Sequence, residues 1–170
     1  MAFAPKFDKD MKKQLETIAP QYEWKLGWSA EGHRWKVDLA GIPKHANRSI
    51  VLVEVELKRD DTVGNVVKIW NWLRCKESKR SPVLLVQAFS KHYWQTKVRQ
   101  RERAIFVGHR MMEDRKVCVQ YEWVQMKYRP KMVPGHRTTE GAGRRALAAQ
   151  VLGTTVASLI RAAKRDRAPS

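Results

Sequence analysis

The stretch from Ser49 to Lys58, Ser-Ile-Val-Leu-Val-Glu-Val-Glu-Leu-Lys, constrains this chain more than any other. It is aliphatic and β-branched through Val53, then alternates acid, valine, acid, leucine, lysine. A strand sends successive side chains to opposite faces, so Glu54, Glu56 and Lys58 share one face and Val53, Val55 and Leu57 the other. A strand this apolar belongs in the middle of a sheet, where an uncompensated carboxylate is costly. The preceding run from Arg34 to Leu39 also alternates, with Arg34, Lys36 and Asp38 pointing one way and Trp35, Val37 and Leu39 the other. If the two runs pair, Asp38 comes to lie beside Glu56 and Lys58. The bland alternative is a polar sheet face of cross-strand Glu–Lys pairs, and taken alone the pattern does not choose. Carboxylates bunching in a chain short of them favour a shared cation, because like charges resist occupying one site.

The remaining elements follow from periodicity. Asp8 or Asp10 is placed to cap a first helix with Met11, Leu15 and Ile18 on its apolar stripe, and Pro20 ends it. Gln21 to Trp28 alternates as a strand and forms a hairpin with the strand carrying Asp38. Lys44 to Arg48 turns into the Glu/Lys strand. Asp60 or Asp61 caps a second helix near Thr62, with Val63, Val66 or Val67, Trp70 and Leu73 inward and Asn65, Lys68 and Asn71 on a more polar side. Val83 to Phe89 is short and apolar enough for a buried strand, parallel to its neighbour because a helix connects them. A longer helix is predicted from about Lys91 to Asp114, with Trp94, Val98, Ile105 and Met112 inward, and a strand from Val117 to Met126. Residues 1–128 read as one domain. Residues 129–170 read as a basic arm rich in Pro, Gly and Thr followed by an Ala-rich helix with Leu152, Val156, Leu159 and Ala163 on one stripe.

The order helix, three antiparallel strands, helix, strand, together with Asp38 and Glu56-Leu57-Lys58 at a spacing of 18 positions from Asp38 to Glu56, resembles the PD-(D/E)XK nuclease superfamily over roughly residues 10 to 125. The proline that precedes the first acid in many members is replaced by Val37. The resemblance implies an α/β, restriction endonuclease-like core (αβββαβ, a central mixed sheet flanked by helices) with the basic C-terminal arm and helix attached. It implies a metal-dependent endodeoxyribonuclease in which Asp38 and Glu56, with the Leu57 carbonyl, bind Mg²⁺ (or Mn²⁺) and Lys58 positions the attacking water. Some branches add a glutamate from the first helix, for which Glu16 is the candidate. Glu54 and Lys68 are accessory candidates, Glu54 with equal weight on a structural pairing with Lys36 or Arg34. Such domains often dimerise, and the small, apolar stripe of the last helix offers a surface for a homodimer.

Charge points to the partner independently. The 170 residues carry 34 Lys plus Arg against 17 Asp plus Glu, a net +17, on a chain hydrophobic enough (43%) to pack a core. A folded domain this basic repels itself unless a polyanion gains from the charge, so DNA is expected, with RNA the lesser expectation. Lys36, Lys44, Arg48, Lys97, Arg99, Arg101, Arg103, Arg144 and Arg145 are the candidate phosphate contacts, which give affinity and salt dependence rather than sequence specificity. The competing reading is a non-catalytic nucleic-acid-binding protein on the same fold. No apolar run of membrane-spanning length and no signal peptide is read, so a cytoplasmic location is expected. Cys75 and Cys118 read as core thiols, the five histidines lack metal-ligand spacing, and no phosphate-binding glycine loop appears. Packing is the expected role of Trp24, Trp35, Trp70, Trp94 and Trp123, whereas Trp72 lies off its helix's apolar stripe and reads as exposed.

Overall fold

A computed structural model describes residues 4–30, 33–45, 48–58, 61–75, 82–128 and 139–165. The elements are α1 (Ala4–Ile18), β1 (Tyr22–Trp28), β2 (Val37–Pro43), β3 (Ile50–Glu56), α2 (Thr62–Arg74), β4 (Val83–Phe89), α3 (His92–Gln95), α4 (Val98–Glu113), β5 (Val119–Gln125) and α5 (Thr139–Arg165). The fold is α/β, with one five-stranded open mixed sheet in the order β1-β2-β3-β4-β5. The β1–β2 and β2–β3 pairs are antiparallel, while β3–β4 and β4–β5 are parallel. The Glu/Lys strand is therefore central, as its composition demands.

The sheet divides two cores. On one face α1 supplies Phe7, Met11 and Leu15, and α5 supplies Ala149, Leu152, Val156 and Ile160, against Leu39, Val51, Val53, Val55, Leu84 and Val86. On the other, Val66, Ile69, Trp72 and Leu73 of α2 and Met111 of α4 pack on Ala40, Leu52, Val83, Leu85 and Tyr121. Close approach needs glycine at two places. Trp24 lies across Gly41, its register partner, where a Cβ would come within 2.8 Å of the indole. Gly108 of α4 sits on the Tyr121 ring, leaving no room for a methyl group.

Several sequence expectations are corrected here. Asp8 and Asp10 lie inside α1 rather than at its cap, since the helix begins at Ala4. Cys75 and Cys118 are exposed, not core thiols. Trp72 is buried, edge-on to both Trp28 and Trp35, because the α2 face covered by the sheet is rotated toward the β1–β2 hairpin. Trp70, half-buried against the second core as expected, also donates its indole N–H to Asp114 Oδ2. The long helix after β4 is broken between Gln95 and Val98 into α3 and α4, and α4 turns Ala104, Gly108 and Met111 inward, leaving Met112 exposed. The helix read as part of a C-terminal attachment is a wall of the first core, anchored also by Arg145 to Asp10 of α1 at 2.8 Å. Contrary to the expectation that no run reaches membrane-spanning length, its Gly143–Ala163 segment is long and apolar enough to cross a membrane by length and mean hydropathy (1.4), with 39% of it buried in the fold. The arm at 129–138 lies outside the described residues.

The glycine contacts give a paired test. Gly108→Ala should destabilise the protein by roughly 1–3 kcal/mol through the forced shift of Tyr121. Gly143→Ala, with nothing within 4 Å of the added methyl, should be neutral or stabilising, as helix propensity dictates. Equilibrium urea denaturation of the two variants measures the contrast.

Candidate functional site

The antiparallel register pairs Leu39 with Val53 and Ala40 with Leu52. Carried one step further, it sets Asp38 beside Glu54 rather than beside Glu56. The Asp38 carboxylate reaches across the strands to accept the Val55 N–H at 2.8 Å. On the other side of β3, the parallel register sets Glu54 level with Gln87 of β4, and Gln87 level with Trp123 of β5. Asp38, Glu54, Gln87 and Trp123 thus form one row across the sheet, on the face covered by α2 and α4.

Helix α2 is held over this row by its own polar side chains. Its start is fixed by Asp61, whose carboxylate accepts the Gly64 N–H at 2.7 Å. One turn on, Asn65 and Lys68 are three residues apart and so share a flank of the helix. That flank faces the acids. Lys68 Nζ lies 2.6 Å from Glu54 Oε1 and donates to Asn65 Oδ1 at 2.8 Å and to the Lys36 carbonyl at 2.6 Å. Asn65 in turn donates to Glu56 Oε1 at 2.8 Å. Gln87 donates to the same oxygen at 2.8 Å and to the Thr62 carbonyl at 2.9 Å, and accepts the Tyr121 hydroxyl at 2.8 Å. The network therefore runs from β5 through β4 and β3 to α2, and it contains both buried acids.

The electrostatics are uneven along it. Glu54 is buried, and desolvation together with the neighbouring Asp38 pushes its carboxyl up from 4.5 to about 8, with Lys68 acting in the opposite direction. Tyr121 is likewise held well above its ordinary range by burial and by Glu56. The row thus sets Asp38 beside a second carboxyl, Glu54, whose charged form burial disfavours and Lys68 favours.

The sequence candidates separate accordingly. Asp38, Glu54, Glu56 and Lys68 are brought together. Lys58 is exposed beyond the end of β3, and the Leu57 carbonyl accepts the Ser90 hydroxyl at 2.6 Å. Glu16 is exposed on α1, against the opposite face of the sheet, paired with Lys12 at 3.4 Å. Among the basic candidates, Lys36, Lys44, Arg99, Arg103 and Arg144 are exposed and Arg48 and Lys97 half-buried, while Arg101 lies over the Trp94 ring. Asn65, Gln87 and Tyr121 were not singled out from the sequence. Asn65 carried a signal in its spacing to Lys68; Gln87 carried one as the lone polar residue in an otherwise apolar run.

Among the described residues, no group of three His, Cys, Asp or Glu side chains is arranged to hold a metal ion. Mg²⁺ is ordinarily held by one or two carboxylates, with waters and substrate phosphate completing its shell. The all-oxygen pair of half-buried Asp38 and buried Glu54 fits that requirement, whereas Glu56 Oε1 is directed at two amides. No family model, curated protein or solved structure matches the chain.

The Glu54 shift fixes a pH dependence. Below about pH 4.5 the group is protonated in both folded and unfolded chains. Between 4.5 and about 8 only the folded state keeps the proton, so stability falls as pH rises, and above 8 the full penalty is present. In chelator, Glu54→Gln should therefore gain stability relative to wild type as pH rises from 4.5 to 8.5, by a few kcal/mol at the upper end. Thermal melts across that range measure it; a constant difference would mean that Glu54 titrates normally.

Proposed function

We propose that this protein is a metal-dependent nuclease that hydrolyses DNA phosphodiester bonds, with a restriction endonuclease-like core. One observation carries the reading: two acids from adjacent strands, Asp38 and Glu54, stand side by side at the carboxyl ends of the parallel strands with Lys68 2.6 Å from the second. Crevices at that end of an open α/β sheet are where such folds bind ligands. DNA as substrate follows from the family resemblance and from the net charge of +17. A cytoplasmic location and action as a homodimer belong to the same proposal.

Asp38 and Glu54 would hold Mg²⁺ or Mn²⁺, which supplies Lewis acidity and a water of lowered pKa. The other roles fall to the chain. Lys68 is the cation already aimed at the acids, and it can turn from Glu54 to a phosphate oxygen as charge grows there. It takes the part that the sequence resemblance gave to Lys58. Glu56, fixed by Asn65 and Gln87, holds the far side of the network still, and Lys36 and Lys58 flank the opening as solvent-facing phosphate contacts. Positioning of this kind has value only if the groups are held before substrate arrives, and the buried network does that.

The competing reading, a non-catalytic nucleic-acid-binding protein, is favoured by one fact: Lys68 is already engaged within the chain by Glu54 Oε1, the Asn65 amide oxygen and the Lys36 carbonyl. Metal separates the two. Plasmid, linear, single-stranded and four-way-junction DNA are incubated with Mg²⁺, Mn²⁺ or chelator. The expected result is metal-dependent cutting that falls at least about a hundredfold in Asp38→Ala, Glu54→Gln and Lys68→Ala, with a much smaller loss in Lys58→Ala. Binding without cutting on every substrate would remove the nuclease reading.

A further inference from the structure

The row Asp38, Glu54, Gln87, Trp123 does not end in a structural side chain. Trp123 stands on β5, the edge strand, and is 40% exposed. Its ring lies 5.7 Å from that of Trp94 on α3, at 40°. The Arg101 guanidinium, from the first turn of α4, rests 3.9 Å above the Trp94 ring. Two indoles and a guanidinium from three separate elements thus make one aromatic cluster, with Trp123 as its exposed member and Trp94 and Arg101 packed behind it. The first core, in contrast, encloses its Trp24 fully. Exposing an indole forfeits the burial that makes tryptophan useful in a core, so the arrangement is informative where a lone exposed aliphatic residue is not.

Its surroundings select the occupant. Lys91 and Lys97 immediately precede α3 and α4 and Lys127 follows β5, all next to the elements that carry the rings, while Arg99 and Arg103 stand on the face of α4 turned away from Arg101. The acids nearby are occupied: Glu122 accepts from Gln120 at 3.0 Å and Glu102 pairs with Arg101 at 3.4 Å. A flat π-surface in a cationic field suits a nucleobase on a polyanionic backbone better than an apolar peptide. Location adds a scale. β3 and β5 are two strand spacings apart, roughly 10 Å, so the platform is about three stacked base steps from the acids. Bases inside a duplex are stacked on one another and cannot also stack on Trp123.

We propose that Trp123, backed by Trp94 and Arg101, is a stacking site for an unpaired base, and that the preferred nucleic acid is single-stranded DNA or a duplex with a frayed or branched segment. This names the substrate class for the proposed nuclease and rests on that reading only for cleavage; the binding itself stands apart from it.

The test uses the full-length protein in chelator, so that no cutting occurs, with fluorescence anisotropy of a labelled oligo-dT and of a blunt duplex across a salt series. Wild type should bind the single strand more tightly. Trp123→Ala should lose about tenfold on the single strand, with duplex affinity and salt slopes unchanged, and Trp123→Phe should keep most of the affinity. Equal losses on both ligands, or no loss on either, would overturn the stacking site. Selective loss in a protein that cuts nothing supports the platform and removes the nuclease; metal-dependent cutting with unchanged single-strand binding in Trp123→Ala does the reverse.

Discussion

Two carboxyl groups on the central strand, Glu54 and Glu56, are almost wholly removed from water, and the rest of the molecule accommodates them. Water is not there to solvate them, so protein groups must. β4 contributes Gln87, α2 contributes Asn65 and Lys68, and β5 reaches the network through the Tyr121 hydroxyl. Removing one partner leaves a buried polar group without its hydrogen bond, at a cost of about 1–3 kcal/mol. The seating of α2 is thus set by polar contacts along one flank as much as by Val66, Ile69 and Leu73 along the other.

The two faces of the sheet are specialised as a result. The face under α1 and α5 is aliphatic and aromatic, and non-directional burial holds it together. The other face mixes an apolar half, toward the start of the parallel strands, with a polar half toward their ends. Asp114 closes the apolar half: it accepts the Lys116 N–H and the Trp70 indole, pairs with Arg74, and is held below the usual carboxylate range by those contacts. That cluster ties α2 to the turn before β5, so the polar half is framed by fixed elements.

Much of this was legible in the sequence because strand periodicity is strict. The order of elements, the central place of β3, the shared face of Glu54 and Glu56 and the parallel setting of β4 all follow from alternation, apolar runs and connection length. What alternation does not give is register. A slide of two residues keeps every side chain on its face, and that is the difference between Asp38 beside Glu56 and Asp38 beside Glu54. The place of Lys58 was hidden by the strand's end rather than its register, since Lys58 leaves the sheet once β3 ends at Glu56. Helices were harder to read. On α2 the buried and polar stripes adjoin, so Trp72 was placed on the wrong side of the boundary, whereas Asn65 does share the polar flank with Lys68. The part played by α5 could not be read because its Ala-rich stripe fits an attachment and a core wall equally well.

The ion pair between Asp10 and Arg145 joins groups 135 residues apart in sequence. It belongs to a core whose first wall is the earliest helix of the chain and whose last wall is the latest. During synthesis at roughly 5–20 residues per second, Phe7, Met11 and Leu15 stay without their α5 partners for on the order of ten seconds. Long-range closure of this kind slows folding, and the exposed stripe of α1 is a surface that a chaperone or a neighbouring nascent chain can reach first. The face of the sheet turned away from the buried acids therefore has a large part in how the protein comes to be folded.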